Sequence, residues 1–290
     1  MKVLNWCILS FLLLARMAGF SVEKPLIIVS IPPQQEFVQR IAQNKVDISV
    51  LAGQGSSPHS YEPTPKQMIE LSRAKIWFTI GIDFERGLLP KVKSLYPDLK
   101  IVDTSAGVKY RFLEEHTHEA EEKKHNEEET KDPHIWLGYD QVKTQLSNIL
   151  LALKNLNPED GTFFQKNYDE YIKEIDSTFA LLSRKLKPFK GRTVFVYHPA
   201  FGYFLDNFGI RQKAFEVRGK EPTQREVVEL IKRAREEKVK VIFVQKQFSK
   251  TSAITIAKSI NGKVVEMDPL AQNWLENIKY MGEVILKGLK

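Results

Sequence analysis

A chain of 290 residues, 42% hydrophobic and 27% charged, has the composition of a soluble globular protein and room for two domains or one large α/β domain. Its formal charge of +7 is modest and spread along the chain, with no basic tract interleaved with aromatics, which argues against nucleic-acid binding. The single cysteine, Cys7, lies in the N-terminal apolar segment, so beyond that segment no disulfide or thiolate ligand is available.

Residues 1–21 read as a secretory signal peptide. Lys2 gives a short positive start, residues 3–14 are almost wholly apolar, and small residues around Gly19 and Ser21 offer a cleavage site. Arg16 interrupts the run, which falls short of the about 20 apolar residues of a spanning helix. Cys7 precedes most of the apolar run, which argues against lipid modification and for a free periplasmic protein. Cleavage leaves 41 basic and 36 acidic residues, a charge of +5.

Residues 26–31 form a short apolar run of the kind buried in a parallel sheet, stopped by Pro32-Pro33. Helical spacing follows over 34–43, then a strand over 48–51 and a loop over 53–58. Thr64 as N-cap and Pro65 at the first helical position open a helix over 65–74. Strands are predicted over 76–80 and 100–103. Residues 114–132 carry nine acidic residues, three lysines and three histidines with almost nothing apolar. Such a segment cannot offset its ordering entropy by burial and is expected to be a mobile loop.

An amphipathic helix is predicted over 139–153. Over 158–187 apolar residues recur every three or four positions, through Phe164, Tyr168, Tyr171, Ile175, Phe179, Leu182 and Leu186. With Asn157 as cap and Pro158 at the first position, this is one helix, and at 1.5 Å per residue it reaches roughly 40 Å, enough to run between two domains. Strands at 193–197, 215–217, 241–244 and 263–267 then alternate with helices at 201–208, from Thr223, at 252–260 and at 274–289. Both halves thus read β-α-β-α, the pattern of a parallel sheet flanked by helices. The predicted organisation is a signal peptide (1–21), an N-terminal lobe (22–157), a rigid linking helix (158–187) and a C-terminal lobe (188–290).

The six histidines divide into two groups. His116, His118 and His125 fall in the acidic segment, where a solvated loop and a weak metal-gathering tract are equally good readings. His59, His134 and His198 each adjoin a proline and lie between a strand-like run and a helical one. Ligands of open α/β sheets bind at the carboxyl ends of strands, so one metal between two facing sheets could take all three imidazoles. Asp268, after the strand 263–267 and before Pro269, is the candidate for a fourth ligand of a closed tetrahedral site. Singly, each histidine is equally well a hydrogen-bonded residue at an element end, and Asp268 an N-cap.

The runs Ser57-Pro58-His59-Ser60-Tyr61-Glu62-Pro63-Thr64-Pro65, Asp132-Pro133-His134-Ile135-Trp136-Leu137 and Tyr197-His198-Pro199-Ala200-Phe201-Gly202-Tyr203-Phe204 resemble, in order, three ligand motifs of the metal-binding proteins of zinc and manganese ABC importers. Glu221-Pro222-Thr223, the segment 242–248 and Asp268-Pro269-Leu270 resemble the C-terminal lobe of that family, and the acidic insertion resembles that of its zinc-type members. The resemblance spans residue 26 to the C-terminus. It implies two α/β lobes joined by one long rigid helix, with a metal bound between them by His59, His134, His198 and Asp268. It further implies a monomeric periplasmic protein, not an enzyme, that hands Zn²⁺ to an ABC importer permease served by a separate ATPase. Manganese-type members tend to have glutamate at the third position; three imidazoles and one carboxylate favour zinc. Mn²⁺ or Fe²⁺ is the alternative cargo. A metal-stabilised adhesin and a secreted zinc hydrolase, with Glu62 or Glu266 as base, are the rival functions. The short, glutamate-rich insertion and the lack of a cysteine pair depart from the zinc-type pattern.

Overall fold

The computed structural model describes residues 23–113, 131–216, 223–245 and 250–290. The predicted signal peptide and residues 114–130 of the acidic segment, with His116, His118 and His125, lie outside the described residues, as do Val217, Glu221, Pro222 and residues 246–248.

Two four-stranded, all-parallel sheets form the frame. The first contains β1 (Leu26–Val29), β2 (Asp47–Val50), β3 (Ile76–Thr79) and β4 (Lys100–Asp103) in the order β2-β1-β3-β4. The second contains β5 (Thr193–Val196), β6 (Arg211–Ala214), β7 (Val241–Val244) and β8 (Lys263–Glu266) in the matching order β6-β5-β7-β8. The inner strands β1, β3, β5 and β7 are almost wholly buried, whereas the edge strands are partly exposed. Helices α1 (Pro32–Ala42), α2 (Pro65–Arg73), α3 (Asp83–Leu95) and α4 (Tyr139–Leu156) accompany the first sheet. Helices α6 (Gly202–Asp206), α7 (Gln224–Glu236), α8 (Lys250–Ser259) and α9 (Trp274–Leu289) belong to the second half.

Between them runs α5 (Gly161–Leu186), whose 26 residues span about 39 Å. The predicted helix 158–187 begins as a 3-10 turn, Pro158–Asp160, and ends in another, Lys187–Phe189. Asn157 does not cap a helical N–H; its amide donates to Asp160 at 2.7 Å. The predicted apolar stripe faces inward, with Phe164, Tyr171, Ile175, Phe179, Leu182 and Leu186 buried and Tyr168 half-buried. One continuous apolar core runs from the first sheet through α4 and α5 to α9 and one face of the second sheet. A smaller core lies on that sheet's other face, with Phe195, Tyr197 and Ile242 packed beside Leu230 of α7 and Ile256 of α8.

Three local differences from the sequence reading have physical causes. Pro32 and Pro33 do not merely end β1; they open α1, where a fixed φ and a missing N–H cost nothing. The Gln34 amide oxygen accepts the N–H of Ser30 at 3.0 Å, tying the strand end to the helix start. Helix α3 has no counterpart among the sequence-based elements because Gly87 and Pro90 interrupt its pattern. It forms because Phe84, Leu88 and Val92 are buried and the Glu85 carboxylate accepts the N–H groups of Ile80, Gly81 and Ile82. Burial pushes the Glu85 pKa up to about 7. The strand expected at 215–217 lies instead at Arg211–Ala214, a polar edge strand without an apolar run. Phe215 and Glu216 prolong its ladder, donating to Val196 and Tyr197 carbonyls at 3.0 and 2.8 Å. No helix among the described residues is long and apolar enough to cross a membrane.

Candidate metal centre

The predicted histidines meet where the carboxyl ends of the two sheets face each other. His59 lies in the connection from β2 to α2 and is 38% exposed at its side chain. His134 follows Asp132-Pro133 and leads into a 3-10 turn, Ile135–Leu137, whose three residues are buried. His198 stands two residues past β5, and its main chain is held by Gln245 after β7. That amide donates to the His198 carbonyl at 2.9 Å and accepts its N–H at 3.4 Å. His134 and His198 are buried. Ring centroids are 6.1 Å apart for His59 and His134, 5.3 Å for His59 and His198, and 5.2 Å for His134 and His198. One nitrogen from each ring lies within 4.8 Å of the others.

Every one of the three imidazoles is oriented by a carboxylate on its Nδ1. His59 Nδ1 is 2.6 Å from Asp83, His134 Nδ1 is 2.7 Å from Asp132 and His198 Nδ1 is 2.7 Å from Glu216. An ionised carboxylate only accepts, so the ring proton sits on Nδ1 and each Nε2 is left with a lone pair. Asp132 is set by a local turn, since its Oδ1 also accepts the His134 N–H at 3.0 Å. Asp83 is the first residue of α3, and Glu216 lies two residues past β6.

The Nε2 atoms of His134 and His198 approach to 3.3 Å. Two lone pairs so close repel one another unless a cation lies between them. A tetrahedron with Zn–N bonds of about 2.0–2.1 Å holds its ligand nitrogens about 3.3–3.4 Å apart. The cavity they enclose is walled by Pro58, Ile82, Trp136, Ala200, Pro269 and Leu270. Burial depresses the His198 pKa; the Glu216 hydrogen bond opposes this, and the two neighbouring imidazoles reinforce it. The His59 hydrogen bond lowers the Asp83 pKa against the effect of burial. Burial works to raise the Asp132 pKa, but His134 and Arg111 outweigh it, and this carboxylate stays below its usual range. Burial thus favours the neutral His198 ring, the state in which imidazole binds metal, while Asp83 and Asp132 are held in their charged, accepting form.

Asp268 is not brought into this group. Its side chain accepts the N–H of Leu270 at 2.9 Å and its carbonyl accepts the Asn277 amide at 2.7 Å, the turn-capping role that its position also suggests. Its neighbours Pro269 and Leu270 do reach the cavity. Glu62 is exposed and Glu266 half-buried, and neither joins the histidines. The sequence reading assigns no role to Asp83 and Glu216, which lie 24 and 18 residues from the histidines they hold. Asp132, two residues before His134, has the spacing of an Asx turn and is the one partner with a local signal.

Comparison with known proteins identifies the family. The family model described as zinc-uptake complex component A, periplasmic, matches residues 27–288. The high-affinity zinc uptake system protein ZnuA of Bacillus subtilis is 26% identical over 249 residues, which cover 84% of this chain and 78% of that protein. The zinc-binding protein AdcA of Streptococcus pyogenes is 27% identical over 262 residues, 84% of this chain but half the length of that protein. A crystal structure of ZnuA superposes with a TM-score of 0.85 at 32% identity, covering 92% of this chain and all of the other. Together these matches make the chain a member of the periplasmic zinc-uptake complex component A family.

Proposed function

We propose that this protein is a periplasmic, high-affinity Zn²⁺-binding protein that carries its cargo to the permease of an ABC importer powered by a separate ATPase. The observation that carries this reading is the convergence of three Nε2 lone pairs on one cavity, each ring fixed by a carboxylate on Nδ1. His59, His134 and His198 are the proposed ligands. Asp268, whose neighbours line the cavity, is the proposed fourth, recruited by a small shift of the loop after β8. A donor set of three imidazoles and one carboxylate suits zinc better than manganese. The reading is supported by membership of the zinc-uptake family, which also supports residues 1–21 as an export signal.

Coordination, not catalysis, is the chemistry this site favours. Asp83, Asp132 and Glu216 are each engaged by a histidine, and among the described residues no further carboxylate lines the cavity to act as a base. Delivery needs reversibility, and His59 is the ligand best able to supply it. It is exposed and borne on a connection outside regular structure, whereas His134 and His198 are buried against core elements. The shared apolar core and the long α5 favour small lobe shifts over wide hinge opening.

Titration calorimetry of apo protein lacking residues 1–21, with Zn²⁺ and Mn²⁺ in parallel, tests the proposal on wild type and His198→Ala. One tight zinc site, weaker manganese binding and a large loss in the variant are expected. Tighter manganese binding would transfer the protein to a manganese role, and a variant equal to wild type would sink the assigned site.

A further inference from the structure

Arg111 stands immediately before the acidic segment and touches no cavity-lining histidine, yet it is bound on every side by groups that bear on His134. Its Nη1 donates to Asp132 Oδ2 at 2.7 Å, the oxygen opposite the one that holds His134. Its Nε donates to Asp206 Oδ2 at 2.9 Å, on α6 of the second lobe. Its backbone carbonyl accepts the Asp132 N–H at 3.0 Å, and its backbone N–H donates to the Tyr203 hydroxyl at 3.0 Å. That hydroxyl in turn donates to the Asp132 carbonyl at 3.0 Å. Asp132 is fully buried, and Arg111 is only 16% exposed.

Gly202 supplies an independent sign that this placement is specific. A Cβ added there would run into the Arg111 guanidinium, so α6 leaves room for the arginine by beginning on glycine. The planar fork of a guanidinium is suited to bridging two carboxylates, and the point charge of a lysine is not. Three residues of one short helix in the second lobe, Gly202, Tyr203 and Asp206, therefore frame an arginine of the first lobe. That arginine fixes the carboxylate behind a proposed first-lobe ligand. Among the described residues Glu216, the matching carboxylate behind His198, has no such cation, and its Oε1 has no hydrogen-bond partner.

We infer that Arg111 is a positioning residue for metal binding, holding His134 through Asp132 and making that hold depend on contact with the second lobe through Asp206 and Tyr203. The inference rests on the zinc-site reading above. Displacing α6 from the first lobe withdraws the Asp206 and Tyr203 contacts, frees the Arg111 side chain and loosens Asp132. Even a small lobe shift thus weakens the grip of His134 as well as moving His198.

The test compares wild type, Arg111→Met, Arg111→Lys, Gly202→Ala and Asp206→Asn in the full chain lacking residues 1–21. Zinc affinity is read by competition with a chelator, the ligand field by the visible spectrum of the Co²⁺ form, and folding by apo melting. Loss of a group that orients a metal-binding histidine costs about 10- to 100-fold in affinity. Arg111→Met should lose that much and alter the cobalt spectrum while remaining folded; Gly202→Ala should do the same more mildly. Arg111→Lys should recover part of the loss, because it restores a cation beside Asp132. Asp206→Asn removes a half-exposed ion pair and should cost about threefold. Arg111→Met with wild-type affinity and an unchanged cobalt spectrum overturns the inference. If Arg111→Met does not fold, Asp206→Asn and Gly202→Ala decide, and wild-type affinity in both overturns it equally. A wild type that binds no zinc overturns the site reading and this inference with it.

Discussion

Replacing Glu216 by glutamine should weaken zinc binding without weakening the apo fold. Glu216 is buried, and its Oε2 lies 2.7 Å from His198 Nδ1. Glutamine is close to isosteric and its amide oxygen can still accept the Nδ1 proton, so the ring stays in place and only the charge is lost. A hydrogen bond to a charged acceptor contributes about 1.5–3 kcal/mol, one between neutral groups about 0.5–1.5 kcal/mol. The difference, about 1–1.5 kcal/mol, corresponds to roughly a tenfold change in affinity. It appears on metal binding because a dication on Nε2 makes the Nδ1 proton more acidic and the charged acceptor more valuable. In the apo protein the same substitution removes a buried charge whose Oε1 has no hydrogen-bond partner among the described residues. Apo stability should therefore stay within about 1 kcal/mol or rise. Chelator competition measures the first quantity and apo thermal melting the second. Unchanged affinity would refute the reasoning, as would an affinity loss matched by an equal loss of apo stability.

Zinc affinity should fall on acidification as protons compete for the ligands, and the part contributed by His198 should be lost at a lower pH than an ordinary histidine would give, because burial holds its pKa below its usual value. The apo protein should lose stability over the same range. Below the unfolded histidine pKa of about 6.5 the unfolded chain takes up a proton that folded His198 does not, so the penalty on folding grows as the pH falls to the lower folded value and stays at its full size below it. Asp83 and Asp132, lowered in the fold, contribute stability above the unfolded carboxylate range that is lost as pH falls through their folded values. Apo melting from pH 8 to about pH 2 checks both signs, and a melting temperature that rises steadily on acidification contradicts them. Trp274→Phe should destabilise the protein by about 2–4 kcal/mol in denaturant unfolding. It opens a gap in a fully buried site and removes the indole donor to the Trp136 carbonyl at 2.6 Å. Asp268→Asn, which can keep the bond to the Leu270 N–H, should lower zinc affinity about tenfold if the aspartate is the fourth ligand. Wild-type affinity would remove Asp268 from the ligand set.

The parts of this molecule that the sequence makes legible are those whose signal is local. Inner strands such as Ile76–Thr79 and Val241–Val244 are apolar on both faces because helices cover both, and they stand out as runs. The stripe through Tyr171, Ile175 and Phe179 has the period of α5. The proline-flanked histidines mark strand ends, and the structure brings His59, His134 and His198 together as that placement suggests. Long-range partnership leaves no such trace. The pairing of Asp83 with His59 depends on β3 lying beside β1, and that of Glu216 with His198 on an edge strand, Arg211–Ala214, that carries no hydrophobic pattern. Arg111 reads as one more surface charge until the fold sets it between Asp132 and Asp206. Asp268 shows the reverse case, since a strand-end aspartate beside proline fits ligation and turn-capping alike, and in the structure its Oδ1 accepts the Leu270 N–H of the turn.

The most direct test of a single zinc site is anomalous diffraction at the zinc edge from crystals grown with one equivalent of Zn²⁺. The account predicts one strong peak about 2.0–2.1 Å from the Nε2 atoms of His59, His134 and His198. A peak bound through Nδ1, a site lacking any of the three rings, or no ordered zinc at this cavity would contradict it.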